Sequence, residues 1–194
     1  MALSIGRMLK NVRAGEAHLL CRQEEIVSVR PSVVLGSSAF VDGGSIPAEY
    51  AGHGVGTNES PPLHWSGVPD RTAELVLVVE DPDAPLPRPF VHLIATGIAP
   101  QIRSFARNAL SADVAAARGI ALGRNTFGRR EYAGPRALPD HGPHRYVFTI
   151  FALARRLPAS HPYNKRRLLT ALEGSVIGWG RLDGFFERVS GTRR

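Results

Sequence analysis

The sequence predicts a single domain built mainly from β-strands. Three runs carry this prediction, because each is rich in β-branched or aromatic residues and lies between segments that contain proline or glycine: Leu75–Val79, Val91–Ile98 and His144–Leu153. The first run is apolar throughout and too short for a helix, which is typical of a strand buried on both faces. Only two stretches have helical character, so we expect few helices.

The length and composition fit one stable domain. Of the 194 residues, 43% are hydrophobic, which is enough for a substantial core. Cys21 is the single cysteine, so an internal disulfide framework is excluded and no oxidising compartment is required. No run approaches the roughly 20 apolar residues of a membrane span. We therefore expect a cytoplasmic monomer or homodimer.

The net charge of +7 is concentrated near the C-terminus. Residues 155–194 carry nine basic and three acidic side chains, whereas residues 31–154 carry ten and eleven. The nearly neutral body lacks the broad positive face that binding to a phosphate backbone needs, and no aromatic ladder interleaves the arginines. Nucleic acid is therefore not an expected partner. The basic tail predicts weak, salt-sensitive attraction to anionic membrane surfaces.

The first part of the chain is less regular. Residues 1–31 show little periodicity, and we interpret them as an N-terminal extension ahead of the domain proper, residues 32–194. A strand is predicted within Val33–Val41, and a short one begins at Leu63. Between them, Gly52–Gly56 is glycine-rich but follows no clear strand and opens no helix. It is therefore interpreted as a loop rather than a phosphate cradle.

The second part alternates between helical and loop-like segments. Ala106–Arg118 is alanine-rich and predicts a short helix with Ser111 at its N-cap. Asn125–Pro143 contains too many glycines and prolines for a regular element, and such a long loop inside a domain is typically either functional or disordered. Lys165 to about Gly178 predicts an amphipathic helix within the basic C-terminal tail. We expect its apolar stripe to pack on the sheet, with a membrane-surface helix as the alternative.

Polar side chains gather at the predicted strand boundaries. Asp81 and Asp83 follow the first run through a proline-stiffened turn, His92 stands near the start of the second run, and His144 and Tyr146 share one face at the start of the third. Aspartates in turns commonly bond only the local backbone, and a lone histidine on a strand is more often a core residue. Two imidazoles beside a carboxylate can nevertheless donate hydrogen bonds to phosphate oxygens, which predicts an anion pocket.

Signals for catalysis are weak. Two aspartates and two histidines could ligate a metal, but there is no compact ligand motif, and His141 and His144 straddle a proline, which fits a turn better than a helix face. The Gly174–Gly178 segment has the wrong spacing for a Gly-x-Ser-x-Gly nucleophile, and no serine or cysteine neighbours a candidate base in sequence. We therefore expect no metal and no cofactor. Enzymatic activity has no support from these motifs, but it stays open at this point because residues that are neighbours only in space are invisible in the sequence.

Four motifs occur in a fixed order along the chain. They are Ser60–Pro69 (Ser-Pro-Pro-Leu-x-Trp-x-Gly-Val-Pro), Asp81–Pro85 (Asp-Pro-Asp-Ala-Pro), Gly134-Pro135 and Gly142–Phe148 (Gly-Pro-His-Arg-Tyr-Val-Phe), with His92 opening a strand between the second and the third. The second and fourth motifs seldom occur together by chance. From about residue 33 to the tail, the sequence resembles the phosphatidylethanolamine-binding protein family in its bacterial Raf-kinase-inhibitor-like branch.

The resemblance implies a mainly β fold of two packed antiparallel sheets in Greek-key topology with a few peripheral helices. At one end it implies a small pocket for phosphate-type anions or phospholipid headgroups. Its lining would be Asp81, Asp83, His92, His144 and Tyr146, and its wall Pro85, Gly134 and Pro135.

The family is generally regarded as one of binding and inhibitory proteins, so the resemblance favours a non-enzymatic protein that regulates a kinase or a protease. A hydrolase acting on a small phosphorylated substrate is the alternative. The proline-dense turn and the resemblance also predict a cis peptide bond between Ala84 and Pro85.

Overall fold

The computed structural model describes residues 4–159 and 162–190. Strands predominate, as the sequence predicts. The helices are α1 (Ile5–Met8), α2 (Glu24–Val27), α3 (Ala112–Ala117) and α4 (Lys165–Leu172). The strands are β1 (Val34–Gly36), β2 (Gly44–Ser45), β3 (Leu63–Ser66), β4 (Glu74–Asp81), β5 (Phe90–Ile98), β6 (Ser104–Phe105), β7 (Ala121–Leu122), β8 (His144–Leu153) and β9 (Val176–Phe186). Short 3₁₀ turns lie at Glu16–His18, Leu20–Arg22 and Ala48–Tyr50.

The strands form two sheets. The larger has the order β2-β9-β8-β4-β5-β7 and is antiparallel except for the parallel pair of β2 with β9. The smaller has the order β1-β3-β6 and is antiparallel. After the long loop 125–143, β8 returns to pair beside β4, which gives the Greek-key order β8-β4-β5-β7. The predicted fold class is confirmed.

The central strand β4 is buried along its whole length. Leu75, Leu77 and Val79 belong to the core between the two sheets, whereas Val76 and Val78 belong to a second core on the opposite face. A strand covered on both faces needs apolar side chains on both, which explains the unbroken apolar run in the sequence. The prediction for this strand is confirmed.

The outer face of the large sheet is covered by segments from the two ends of the chain. Leu19, Leu20 and Ile26 come from the N-terminal segment, and Leu168 and Leu172 come from α4. Each such burial contributes at most about 1.5–3 kcal/mol to the free energy of folding. The apolar stripe of α4 packs on the sheet, as predicted.

The predicted helix over 165–178 is wrong beyond the end of α4. The chain turns at Gly174, whose φ of +61° favours glycine, and residues 176–186 form β9 beside β8. Glycines within β9 weaken strand propensity and conceal the strand in the sequence. The fold requires them for close approach: a Cβ at Gly180 would lie 2.1 Å from the carbonyl oxygen of Val33.

Candidate functional site

A cavity of about 520 Å³ opens at one end of the large sheet. There β4 ends at Asp81, which pairs with Phe90 at the start of β5, and β8 begins at His144. Because neighbouring antiparallel strands run in opposite directions, the end of β4 meets the beginnings of both neighbours. The topology thus brings together side chains that are 63 residues apart in sequence.

Most of the predicted site residues border this cavity. Those that do are Asp81, His92, His144, Tyr146, Pro85 and Gly134. Asp83 and Pro135 do not border it, but each accepts a hydrogen bond from a residue close to the cavity. A carboxylate oxygen of Asp83 accepts a hydrogen bond from the backbone N–H of Arg145 at 2.8 Å, and the carbonyl of Pro135 accepts one from the N–H of Gly52 at 2.9 Å.

The turn after β4 is closed by a side chain. Asp81 Oδ1 accepts a hydrogen bond from the backbone N–H of Asp83 at 2.7 Å, which forms an Asx-turn. No cis peptide bond occurs among the described residues, so the prediction of a cis Ala84–Pro85 bond is wrong. The physical reason is that the hydrogen bond to Asp81 and a backbone hydrogen bond from the N–H of Leu86 to the carbonyl of Ala84 (2.8 Å) close this turn with trans peptide bonds.

A chain of buried hydrogen bonds runs from the cavity into the protein. His144 Nδ1 lies 2.7 Å from Asp81 Oδ2, and His144 Nε2 lies 2.7 Å from Nδ1 of His141. His141 Nε2 then contacts the carbonyl oxygens of Leu9 at 2.8 Å and Val12 at 3.2 Å. His141 is fully buried and was not among the predicted site residues. The His-x-x-His spacing was its only signal in the sequence, and that spacing points to no particular contact.

These contacts fix how many protons the three side chains share. A carbonyl can only accept, so His141 Nε2 must carry a proton; one more proton lies between the two rings and another between His144 and Asp81. The three side chains therefore hold three protons and have no net charge, which corresponds to an ionised carboxylate beside one imidazolium. Burial and the neighbouring His144 lower the pKa of His141, which disfavours a second proton on that ring.

His92 presents the open hydrogen-bonding group of the cavity. Its Nδ1 donates to the carbonyl of Ala133 at 2.5 Å, whereas its Nε2 is buried without a partner among the described residues. The ring is held between Phe90 and Tyr146, at centroid distances of 4.7 and 4.9 Å. Burial lowers the pKa of His92, so the imidazole is neutral and Nε2 offers a lone pair. A buried polar atom without a partner is costly, which makes this nitrogen the natural contact for a ligand.

Tyr146 adds a donor beside this nitrogen. Its hydroxyl oxygen accepts a hydrogen bond from the backbone N–H of Arg136 at 3.2 Å, so the hydroxyl proton remains available. Burial raises the pKa of the phenol, which keeps it protonated. His144, by contrast, has both ring nitrogens engaged and orients the site rather than offering a free donor.

The mouth of the cavity is basic. Arg129, Arg136 and Arg188 border it. Among its described lining residues Glu131 is the only carboxylate besides the buried Asp81, and it is paired with Arg129 at 3.4 Å. Phe127 is 64% exposed beside these cations. An anionic group that enters the cavity therefore passes a ring with more positive than negative charge.

A second cavity of about 570 Å³ also has a basic rim, formed by Arg88, Arg124, Lys165 and Arg166. None of its described lining residues has a buried side-chain nitrogen or oxygen without a partner. The first cavity is therefore the better candidate for a specific site.

Neither a metal-binding cluster nor a membrane-spanning helix occurs among the described residues. Residues 4–159 and 162–190 contain no group of three or more His, Cys, Asp or Glu side chains placed to hold a metal ion. No helix in these ranges is long and apolar enough to cross a bilayer.

Comparison with known proteins identifies the family. Residues 36–187 match the family model described as phosphatidylethanolamine-binding protein. The UPF0098 protein PH1269 of Pyrococcus horikoshii is 38% identical over 165 residues, which cover 85% of this chain and 79% of the relative.

Two solved structures are similar over most of the chain. A putative phosphatidylethanolamine-binding protein homolog, CT736 from Chlamydia trachomatis, has a TM-score of 0.73 and 33% identity over 82% of this chain and 99% of its own. YbcL from E. coli, described as a member of the mammalian PEBP family, has a TM-score of 0.75 and 25% identity over 80% of this chain and 98% of its own. The chain belongs to the phosphatidylethanolamine-binding protein family.

Proposed function

We propose that this protein binds a phosphate-type anion in the cavity of about 520 Å³, either free or as the headgroup of a larger molecule, and does no chemistry on it. The observation that carries the proposal is His92 Nε2, a buried nitrogen that has no partner in the described part of the chain and lies below an arginine-rich mouth. Family membership supports a binding protein but does not name its ligand.

The hydrogen bonds available suggest how the anion is held. A phosphate oxygen accepts from the hydroxyl of Tyr146 and from His92 Nε2 once that nitrogen is protonated. Because burial keeps His92 neutral, binding of a fully ionised anion takes up one proton. The affinity for phosphate is therefore expected to fall as the pH rises through the histidine range.

The lining of the cavity argues against the hydrolase alternative. It contains no serine, threonine, cysteine or lysine among its described residues, and both ring nitrogens of His144 are already engaged. A hydrolase needs a positioned nucleophile, or a water activated by a free base. The described lining offers no such nucleophile, whereas His92 Nε2 is a free base, so the alternative is tested by whether phosphate is released from a phosphorylated substrate.

The same site suits a regulatory role in which a phosphorylated or acidic segment of a kinase or protease docks at the mouth, where Phe127 offers apolar surface beside the arginines. We further propose weak, salt-sensitive contact of the basic C-terminal region with anionic membranes. Within it Arg156, Arg166 and Arg167 are exposed, whereas Lys165 and Arg181 are paired with carboxylates.

Calorimetric titration with inorganic phosphate and with phosphoethanolamine tests the proposal on the wild type, His92→Phe and a control, His64→Phe, whose imidazole is exposed on β3. Loss of a charge-assisted hydrogen bond corresponds to about 1.5–3 kcal/mol, so His92→Phe should bind at least about tenfold more weakly and the control should match the wild type. Equal affinity in all three proteins would exclude His92. Steady, protein-dependent release of phosphate from phosphoethanolamine would establish the hydrolase instead.

A further inference from the structure

Residues 4–15, which we call the strap, lie outside the part of the chain that matches the family model, residues 36–187. They nevertheless contact the turn that forms the cavity wall. The backbone N–H of Ala14 donates to the carbonyl of Ala84 at 3.0 Å, and the N–H of Gly15 donates to the carbonyl of Pro82 at 2.8 Å. The strap therefore extends the hydrogen bonding of the turn that follows β4.

The strap also holds the loop before β8. Arg13 forms an ion pair with Asp83 at 3.0 Å and donates to the carbonyl of Pro143 at 3.2 Å. At Gly6 the strap lies so close to this loop that a Cβ would lie 1.9 Å from the carbonyl oxygen of Pro139. One segment thus contacts both sides of the cavity floor.

These contacts are mostly polar, so the strap is weakly anchored. Three of its four large apolar side chains are exposed, Ile5 by 69%, Met8 by 72% and Val12 by 46%, and the fourth, Leu9, is only half-buried. A segment that buries little apolar surface opens at a small fraction of the free energy of global unfolding. The following segment differs, because Leu19 and Leu20 are fully buried in the outer core.

The strap determines the proton content of the cavity floor. While the carbonyls of Leu9 and Val12 face His141 Nε2, that nitrogen must be a donor, and the side chains of Asp81, His144 and His141 hold three protons. If the strap leaves, Nε2 can accept from water and the His141 proton can sit on Nδ1. His144 then donates only to Asp81, so two protons satisfy the same chain.

The released proton changes the charge of the site. With three protons the floor has no net charge, and with two it has a charge of −1 directly beneath an anion pocket. The charged and titratable groups that face the pair are Asp81 from β4, His92 from β5 and Arg13 from the strap itself. A net negative floor repels an incoming anion.

We propose that the strap is a functional part of the pocket, because its docking keeps a proton on the His141–His144 pair, so that strap docking and anion binding reinforce each other. This inference rests on the proposed function, and it assigns the regulation of that site to a segment outside the family match. Coupling between two binding events is reciprocal, so a bound anion must also hold the strap in place.

Two variants of the full chain test whether strap docking strengthens anion binding. Arg13→Ala removes the ion pair to Asp83, whereas Arg30→Ala removes an equal charge from an exposed position without a partner among the described residues. Coupling of ordinary strength corresponds to a loss of about fivefold or more in affinity for inorganic phosphate in Arg13→Ala relative to Arg30→Ala. Equal affinities in the two variants would overturn the proposal.

Hydrogen–deuterium exchange tests the strap itself. In the wild type, phosphate should slow the exchange of the Ala14 and Gly15 amides, and raising the pH from about 6 to about 8 without phosphate should reduce their protection after correction for intrinsic rates. His141→Gln keeps a donor for Leu9 but cannot change tautomer, so its protection should not respond to pH in this way.

The phosphate titration and the exchange experiment distinguish a failure of the proposed function from a failure of the inference about the strap. If the wild type does not bind phosphate, the proposed function is wrong, but the pH arm still decides whether the strap is coupled to the proton. If protection at Ala14 and Gly15 is the same at both pH values, or responds equally in His141→Gln, the inference is wrong whatever the ligand.

Discussion

The ion pair of Glu80 with Lys165 joins three parts of the fold. Glu80 lies on β4 and is 1% exposed, and its Oε1 lies 2.5 Å from the ammonium of Lys165 at the start of α4. Among the described residues Oε1 has no other partner. Oε2 accepts a hydrogen bond from the backbone N–H of Leu20 at 2.9 Å, and Lys165 also donates to the carbonyl of His18 at 2.5 Å. A buried charge thus connects the sheet to both covering segments.

Replacing Lys165 with Met keeps the length of the side chain but leaves the carboxylate of Glu80 buried without a counterion. Breaking a buried pair in this way costs about 3–5 kcal/mol of unfolding free energy. The Lys165 side chain is 22% exposed, so water partly compensates, and we expect the low end, about 3 kcal/mol.

Urea unfolding followed by the fluorescence of Trp65 and Trp179 measures this change. Arg166→Met is the matched control, since Arg166 is an exposed neighbour on α4 and its loss should change stability by less than about 0.5 kcal/mol. The double variant Glu80→Gln with Lys165→Met removes both charges and keeps an acceptor for Leu20, so it should recover most of the loss. A cost below about 1 kcal/mol for Lys165→Met, or no recovery in the double variant, would refute this reasoning.

Three further predictions concern the site and the core. Burial lowers the pKa of His92 and His141 below the ordinary value of 6.5, so the unfolded chain binds more protons below that pH, and the unfolding free energy should fall between about pH 7 and pH 5 in urea titrations. Gly134→Ala places a Cβ 2.5 Å from the carbonyl oxygen of Tyr50, so calorimetry should show a loss of about 1–3 kcal/mol in stability together with weaker phosphate binding. Cys21 is 1% exposed and burial raises the pKa of its thiol, so an aromatic disulfide reagent should react with it only at the rate of unfolding; rapid labelling of the native protein would contradict this.

The local sequence was sufficient to predict the strands whose burial can be read from their own residues. A strand covered on both faces must be apolar throughout, and this requirement is visible in the sequence of β4. The β-branched and aromatic residues of β8 were also sufficient, and the strand has the predicted bounds. The motifs around Asp81 and His144 likewise identified the family and six residues that border the cavity.

Predictions from the sequence were wrong where the conformation of a segment depends on a contact that the local pattern does not show. The glycines of β9 lower its strand propensity, and only the structure shows that Gly180 is needed because the backbone of Val33 packs directly against it. The cis peptide bond between Ala84 and Pro85 was predicted from the density of prolines. The side chain of Asp81 closes the turn by a hydrogen bond instead, and the peptide bond is trans. Each error concerns a contact that no local pattern encodes.

The sequence by itself determined the strand runs, the family and the types of side chain at the site. Only the tertiary structure decided what those side chains do. His144 is engaged at both nitrogens, His92 has a buried nitrogen that no described residue contacts, and His141 connects the site to Leu9. The physical reason is that periodicity and turn chemistry act over a few residues, whereas the protonation and hydrogen bonding of a buried group depend on whichever atoms the topology brings within about 3 Å.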